Sequence, residues 1–290
     1  MIDPIDILRI ILVICGTSIG AWYDIFRKKN VPEVFLYSFL GFSIAMNLFA
    51  PTAFLETLPI AVLLLALLYV FYKVGYIGGA DVIILAAIYA GLPILNEPLF
   101  LKPSLLLLPL AAPRFPSIFS ILSIAAFIFF VAIIIKYIPF IAKRIITKKL
   151  RFSLSNIVQC IIIILIYSTT LYLLTSSPLF IFLSPIYLIF ISLVMVFVCF
   201  FILFKDVITE SMIKWKTNVE EEDVIALEKI DEKTIKKLRL QRLVTKEQLD
   251  RMKQLKGRKW PVLDLPAFLP YILIALLIYI LIGDPLFYLV

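Results

Sequence analysis

The sequence predicts an all-α polytopic membrane protein with about eight transmembrane helices and a small helical cytoplasmic insert before the last helix. Three observations support this fold class: 62% of the 290 residues are hydrophobic, the mean hydropathy is +1.05, and apolar runs alternate with short charged segments. Ordinary globular proteins contain about 45 to 50% apolar residues. Because about 20 apolar residues cross the hydrocarbon core of a bilayer, we expect the chain to lie in the cell membrane.

Eight apolar stretches are candidates for transmembrane helices, and the first lies near the N-terminus. About 17 residues can be enough to cross the bilayer. Asp3 and Asp6 occupy the region where a secretory signal peptide carries basic residues, so we interpret the first stretch as a retained helix. The eight stretches cover residues 5–23, 33–50, 57–74, 81–96, 117–140, 154–176, 178–204 and 266–283.

Basic residues indicate the orientation of these helices, because Lys and Arg concentrate in cytoplasmic loops. Arg27, Lys28 and Lys29 follow the first stretch. Five more basic residues lie within residues 143–151, and fifteen lie within residues 205–259. If these three loops are cytoplasmic, eight alternating helices place both termini on the extracytoplasmic side of the membrane.

The distribution of apolar and charged residues divides the chain into four regions, one of which is not membrane-embedded. In that charged domain, residues 224–238 carry apolar side chains at helical spacing. Thr245 and Gln248 match a capping box, so we expect helices there. The four regions are a membrane core (residues 1–140), a basic loop with a further helix pair (141–204), the charged domain (205–260) and a C-terminal transmembrane helix (261–290).

The composition limits the chemistry that the chain can perform. The sequence has no histidine, which excludes Ser-His-Asp and Cys-His catalysis and the HExxH zinc proteases. Cys15, Cys160 and Cys199 each lie alone within an apolar run, so no CxxC pair predicts a zinc site. We therefore expect no metal and no cofactor. The formal charge of +8 is explained by loops that orient the membrane helices, so we expect no nucleic-acid partner.

Two aspartates at the ends of apolar stretches are the candidate catalytic residues, since a carboxylate at membrane depth is costly. Asp24 ends the first stretch and Asp81 begins the fourth. The two crossings between them return the chain to the same membrane face. Two carboxylates that share a site cannot both ionise at low cost, so one keeps a proton while the other activates water for attack on a peptide carbonyl. The pair predicts aspartic protease chemistry at the cytoplasmic face.

Glycines precede the second aspartate in the segment Gly78-Gly79-Ala80-Asp81. Gly78 and Gly79 permit an irregular backbone and the close approach of an extended substrate. An alternative interpretation is an ordinary turn in which Asp81 caps the following helix, because Asp is a favoured capping residue.

The two aspartates and their flanks resemble the type IV prepilin and archaeal preflagellin peptidases, which are aspartic membrane proteases. In that family the first aspartate ends the first membrane helix before a basic stretch, as Asp24 does, and the second ends a G-x-x-D motif, as Asp81 does. The resemblance covers residues 1–140. It implies that the substrate is a prepilin or preflagellin precursor, whose short basic class III signal peptide is removed at the cytoplasmic face.

Some further residues are possible neighbours of the diad, and others depart from the pattern of the family. The basic residues 27–29 and Asp264 are possible neighbours of the site. Ala80 stands where many members of the family have glycine. Residues 154–204 add a helix pair to the six helices that the archaeal branch of the family implies.

Two other interpretations of the aspartates stay open at this point. A presenilin or signal-peptide-peptidase-like intramembrane protease uses the same carboxylate chemistry on adjacent late helices, before a Pro-Ala-Leu motif that Pro266-Ala267-Phe268 matches only in part. A non-enzymatic transporter or scaffold would use the aspartates for ion coupling or structure. Transporters carry charges or broken helices near the midplane of two related halves, and no internal repeat is visible here.

Two glycines form a small-residue face in the first stretch. The segment from Gly16 to Gly20 matches the G-x-S-x-G nucleophile elbow, but it lies within a predicted helix and no histidine can activate Ser18. The spacing of the glycines instead predicts close packing against a neighbouring membrane helix.

Overall fold

The computed structural model describes most of the chain, and 79% of the described residues are helical. The described residues are 4–26, 31–49, 51–74, 77–94, 116–147, 152–175, 185–221, 223–253, 255, 257–264 and 266–283. The helices are α1 (Pro4–Phe26), α2 (Glu33–Ala45), α3 (Pro51–Val74), α4 (Gly79–Gly91), α5 (Ser117–Ile146), α6 (Leu154–Thr175), α7 (Pro185–Leu203), α8 (Lys205–Met212), α9 (Glu232–Leu238), α10 (Lys246–Lys253) and α11 (Leu269–Ile282). The strands are β1 (Ile213–Lys216), β2 (Val224–Ile225) and β3 (Trp260–Leu263).

Helices occur at all eight predicted positions, but not all are long enough to cross a bilayer. By length and composition, α1, α3, α5 and α6 qualify among the described residues, and the bent pair of α7 and α8 is a fifth candidate if it forms one span. The apolar helices that contain α2, α4 and α11 have only 10 to 17 residues each. At 1.5 Å per residue such helices fall short of a hydrocarbon core of about 30 Å. The polytopic helical class is therefore supported, whereas a count of eight full spans is not established.

The chain divides into two compact units. The first comprises Met1–Leu95, Pro113–Phe119 and Met212–Leu273, and so contains α1 to α4 together with the strands. The second comprises Asn96–Ala112, Ser120–Ser211 and Ile274–Val290. Most of the charged domain, from Met212 onward, belongs to the first unit.

Close packing of α1 against its neighbours depends on glycine. A Cβ atom added to Gly16 would lie 2.3 Å from the ring of Phe39 in α2, and one added to Gly20 would lie 2.4 Å from the Cδ1 atom of Ile84 in α4. Both distances are shorter than van der Waals contact, so a larger side chain at either position would require its neighbour to move. The predicted small-residue face of α1 is confirmed.

A buried arginine joins α1 to the end of α2. Arg9 is only 4% exposed, its Nη2 atom donates a hydrogen bond to the Met46 carbonyl at 3.0 Å, and its Nη1 atom lies 3.8 Å from the Asp6 carboxylate. Gly16 and Phe39 are each seven residues from this contact, in opposite chain directions, so α1 and α2 are antiparallel. A cation at the carbonyl end of a helix interacts favourably with the helix dipole. The role of Arg9 could not be predicted from the sequence, because its partner is a backbone carbonyl, which every residue carries.

The charged domain is not purely helical, which corrects the prediction of a helical insert over residues 205–260. Strands β1, β3 and β2 form an antiparallel sheet in that order, with Trp215 paired to Pro261 and Ile225 paired to Val262. Strands of two to four residues are too short to show the alternation that distinguishes a strand in a sequence. The buried residues of the core between the sheet and helices α9 and α10 are Ile225, Leu238, Leu240, Val244, Met252 and Trp260.

Asp231 precedes α9 and caps its first turn. Its Oδ2 atom accepts hydrogen bonds from the Thr234 hydroxyl at 2.7 Å and the Thr234 backbone N–H at 2.9 Å, and its Oδ1 atom accepts one from Arg258 Nη2 at 2.9 Å. The hydrogen bonds from the Thr234 hydroxyl, from Arg258 and from the Thr234 N–H lower the pKa of Asp231 from 3.8 to about 2. The ionised cap is therefore favoured in the folded domain.

We expect acid to weaken this cap within a defined pH window. Because the folded-state pKa of Asp231 lies below its unfolded value, the stabilisation is complete above pH 3.8 and is lost as the pH falls toward about 2. Pepsin digestion, normalised to an unfolded substrate at each pH, measures cleavage within residues 213–264. Cleavage of the wild-type domain should rise as the pH falls from 3.8 toward about 2. Asp231→Asn keeps a hydrogen-bond acceptor at the cap but cannot titrate. If cleavage of this variant depends on pH as cleavage of the wild type does, the pH dependence does not come from Asp231.

Candidate active site

Asp24 lies near the end of α1 and is buried, with 8% of its surface exposed. Its Oδ2 atom accepts a hydrogen bond of 3.1 Å from the backbone N–H of Leu269, the first residue of α11. The first N–H groups of a helix have no partner within the helix, and they lie at the positive end of its dipole. A carboxylate is therefore a suitable partner for the start of α11.

Asp81 lies in the first turn of α4 and is 9% exposed. Its Oδ2 atom accepts a hydrogen bond of 3.0 Å from the backbone N–H of Gly78, the residue that precedes the helix. The alternative interpretation of Asp81 as a capping residue therefore describes a real contact. A carboxylate has about four acceptor positions, so one capping hydrogen bond leaves capacity for other partners.

The glycines of the G-x-x-D motif have ordinary backbone geometry. Gly78 has φ −71° and ψ 149°, which is extended, and Gly79 begins α4 together with Ala80. Gly78 therefore adopts an extended conformation that residues other than glycine can also adopt. A Cβ atom on Gly78 would lie 3.1 Å from the Oδ2 atom of Asp81, so glycine allows the close contact between this residue and the carboxylate.

Contacts at two glycines define the register of α1 against α4. A Cβ atom on Gly91 would lie 2.5 Å from Val13 Cγ2, and one on Gly20 would lie 2.4 Å from Ile84 Cδ1. A step of seven residues forward along α1 thus corresponds to seven residues backward along α4. The two helices are antiparallel, and each step along one is matched by an equal step along the other.

The same register relates the two aspartates. Asp24 is four residues after Gly20 on α1, and the matching position four residues before Ile84 on α4 is Ala80, next to Asp81. Residues three or four apart lie on the same face of a helix, so both aspartates are on the faces that α1 and α4 turn toward each other. The helix pairing therefore places positions 24 and 81 at the same end of the α1–α4 pair.

The other residues predicted near the site have different surroundings. Asp264 forms an ion pair with Lys214, with a distance of 2.6 Å between Oδ2 and Nζ, and its side chain is about half exposed. Its backbone N–H donates to the Met212 carbonyl at 2.9 Å, and α11 begins only at Leu269. The predicted neighbours Arg27, Lys28 and Lys29 lie outside the described residues.

The contribution of α11 to this site could not be predicted from the sequence. The donor to Asp24 is a backbone N–H of Leu269, 245 residues away in the chain. Every residue except proline carries such a group, so its role depends on where a helix begins in space rather than on residue type. The only available signal was the apolar stretch from residue 266 onward, which predicted a helix but not its partner.

Within the described part of the chain, no group of three or more Cys, Asp or Glu side chains is arranged to hold a metal ion. Asp24 and Asp81 are buried carboxylates that each accept a hydrogen bond from a backbone N–H group. Comparison of the chain with models of known protein families, with curated proteins and with solved structures finds no match.

Proposed function

We propose that the chain is a membrane aspartic endopeptidase that removes short class III signal peptides from prepilin or preflagellin precursors. Asp24 and Asp81 form its catalytic diad. The register of α1 and α4 carries this proposal, because it relates two buried carboxylates that are 57 positions apart in the sequence. Two buried acidic side chains at the end of a pair of apolar helices are better suited to acid-base catalysis than two exposed acidic side chains would be.

The proposed reaction uses one ionised and one protonated carboxyl group. The ionised carboxylate takes a proton from a water molecule, whose oxygen attacks the carbonyl carbon of the scissile peptide bond. The protonated partner donates a hydrogen bond to the carbonyl oxygen, which gains negative charge as the tetrahedral intermediate forms. When the C–N bond breaks, a carboxyl proton passes to the leaving amine. Because the two groups interact, their titration belongs to the pair.

Backbone donors hold the carboxylates in this arrangement. The Leu269 N–H binds Asp24 and the Gly78 N–H binds Asp81, so each side chain is restrained at one oxygen while the diad exchanges protons. Pre-positioning of reacting groups lowers the activation barrier because less entropy is lost on reaching the transition state. The basic loops after the first apolar stretch and around residues 143–151 favour a cytoplasmic position for the diad.

A processing assay tests the proposal. Membranes that contain the wild-type chain are incubated with a panel of prepilin and preflagellin precursors, and the products are identified by N-terminal sequencing. We expect a single cut immediately before the apolar helix of the precursor. A cut inside that helix would favour the presenilin-like alternative. Failure to cut any precursor, in a preparation that is folded by size-exclusion chromatography, would favour the transporter or scaffold alternative.

A further inference from the structure

The helix pair of α6 and α7 plays no part in the diad, yet its seam carries several polar and sulfur groups. The Cys160 thiol donates a hydrogen bond of 3.5 Å to the Cys199 carbonyl, and the hydroxyl groups of Tyr167 and Ser192 are hydrogen-bonded to each other. Seven residues forward along α6 thus correspond to seven residues backward along α7. The two helices form an antiparallel pair whose contacting faces include both cysteines.

Two cysteines and a methionine lie along this seam. The Cys199 Sγ atom lies 3.7 Å from the Met195 Sδ atom, one turn away on α7. On α6, the Cys160 sulfur lies 3.5 Å from the Cys199 carbonyl oxygen, next to the residue that carries the second thiol. Metal–sulfur bonds are about 2.3 Å long in thiolate sites, so two sulfur ligands of one trigonal ion lie about 4 Å apart. The separation of the two α7 sulfurs is close to that value, and little rearrangement would be needed to bind an ion between them.

We propose that Cys160, Met195 and Cys199 form a binding site for a soft monovalent metal ion, Cu(I). Thiolate and thioether sulfurs favour Cu(I), whereas Mg²⁺ and Ca²⁺ require oxygen ligands. On binding, the S–H bond of each ligating cysteine breaks, a sulfur–metal bond forms and the proton passes to solvent, with no change in oxidation state. The set has two cysteines and one methionine, which is a ligand combination that cysteine spacing in the sequence does not reveal.

Two polar residues lie within about one helical turn of Cys160 at the end of α6. Asp206, in the first turn of α8, is exposed, and its Oδ2 atom accepts a hydrogen bond of 3.3 Å from the Asn156 amide. Asn156 is buried and lies one helical turn before Cys160 on the same face of α6. An exposed carboxylate attracts cations toward this end of the helix pair.

A Cu(I) competition assay on the full chain tests this site. The purified protein in detergent is kept reduced with ascorbate, and Cu(I) is withdrawn from its coloured bicinchoninate complex. We expect one tightly bound Cu(I) per chain. Cys160→Ser and Cys199→Ser should each weaken binding by at least about 100-fold, and Met195→Leu, which keeps the volume of the side chain, by about 10-fold.

Three controls make the outcome decisive. Cys15→Ser removes the exposed cysteine of α1 and should leave the stoichiometry and affinity unchanged. Asp81→Asn should bind Cu(I) like the wild type, which separates this site from the proposed peptidase. X-ray absorption should show only sulfur ligands, and size-exclusion profiles show whether each variant is folded. Wild-type protein that binds no Cu(I), a folded Cys160→Ser variant with wild-type affinity, or an oxygen-ligated ion would each overturn the proposal.

Discussion

We expect Asp81→Asn to lower the rate of precursor cleavage by at least about 100-fold, with no loss of folded protein. General acid-base catalysis contributes about 100-fold to 10,000-fold to an enzymatic rate, and an amide cannot exchange the proton. Asparagine has nearly the size of aspartate and keeps an oxygen that can accept the hydrogen bond from the Gly78 N–H. The same reasoning applies to Asp24→Asn, whose amide oxygen can still accept from Leu269. The initial rate of signal-peptide removal in membranes measures the effect.

The double variant provides a sharper test of a shared site. If the aspartates act as one unit, Asp24→Asn combined with Asp81→Asn should be no slower than either single variant, because residues that act together have non-additive effects. Glu56→Gln is the matched control, since it makes the same acid-to-amide change at an exposed position in α3. A single Asp→Asn variant that cleaves at the wild-type rate would eliminate the diad mechanism.

The second large effect concerns the separation of α1 and α4. We expect Gly20→Leu to lower the cleavage rate by about 10-fold to 100-fold while the chain remains folded. A side chain at this position would begin 2.4 Å from the Cδ1 atom of the fully buried Ile84, so Ile84 or the helices must shift, one turn from Asp24. A displacement of about 1 Å between reacting groups can cost about 100-fold in rate. The assay is the same processing reaction, with folding followed by size-exclusion chromatography.

A compensating substitution distinguishes this geometric effect from a general loss of stability. Ile84→Ala removes the atoms that leucine at position 20 would meet, so the double variant should recover part of the lost rate. Gly41→Leu is the control, because a Cβ atom at Gly41 would meet nothing within 4 Å. If Gly41→Leu is as harmful as Gly20→Leu, or if Ile84→Ala gives no recovery, the glycine contact does not control the site.

Much of the helical architecture could be predicted from sequence, because burial in lipid requires long apolar runs whose composition is visible directly. The glycine face of α1 was predictable for a related reason, since its four-residue spacing places Gly16 and Gly20 on one side of a helix. The lengths of α2, α4 and α11 were harder to predict. An apolar run can continue through a turn, so it does not show where a helix ends.

Contacts between distant segments could not be predicted in the same way. The sheet of the charged domain joins strands of two to four residues, and Trp215 meets Pro261 only because the intervening chain folds back. The three cysteines appeared as isolated apolar residues in the sequence. Antiparallel packing of α6 and α7 brings Cys160 to Cys199, which is 39 positions away.

The sequence by itself determined the apolar helical class, the candidate aspartates and the absence of histidine chemistry, because these depend on residue types and local spacing. Tertiary structure decided which side chains meet. The register of α1 and α4 pairs Asp24 with the start of α4, and α11 supplies the N–H donor of Leu269 to the same carboxylate. Such contacts follow from the packing of helix surfaces and from the positions of backbone groups, which every residue type except proline supplies alike.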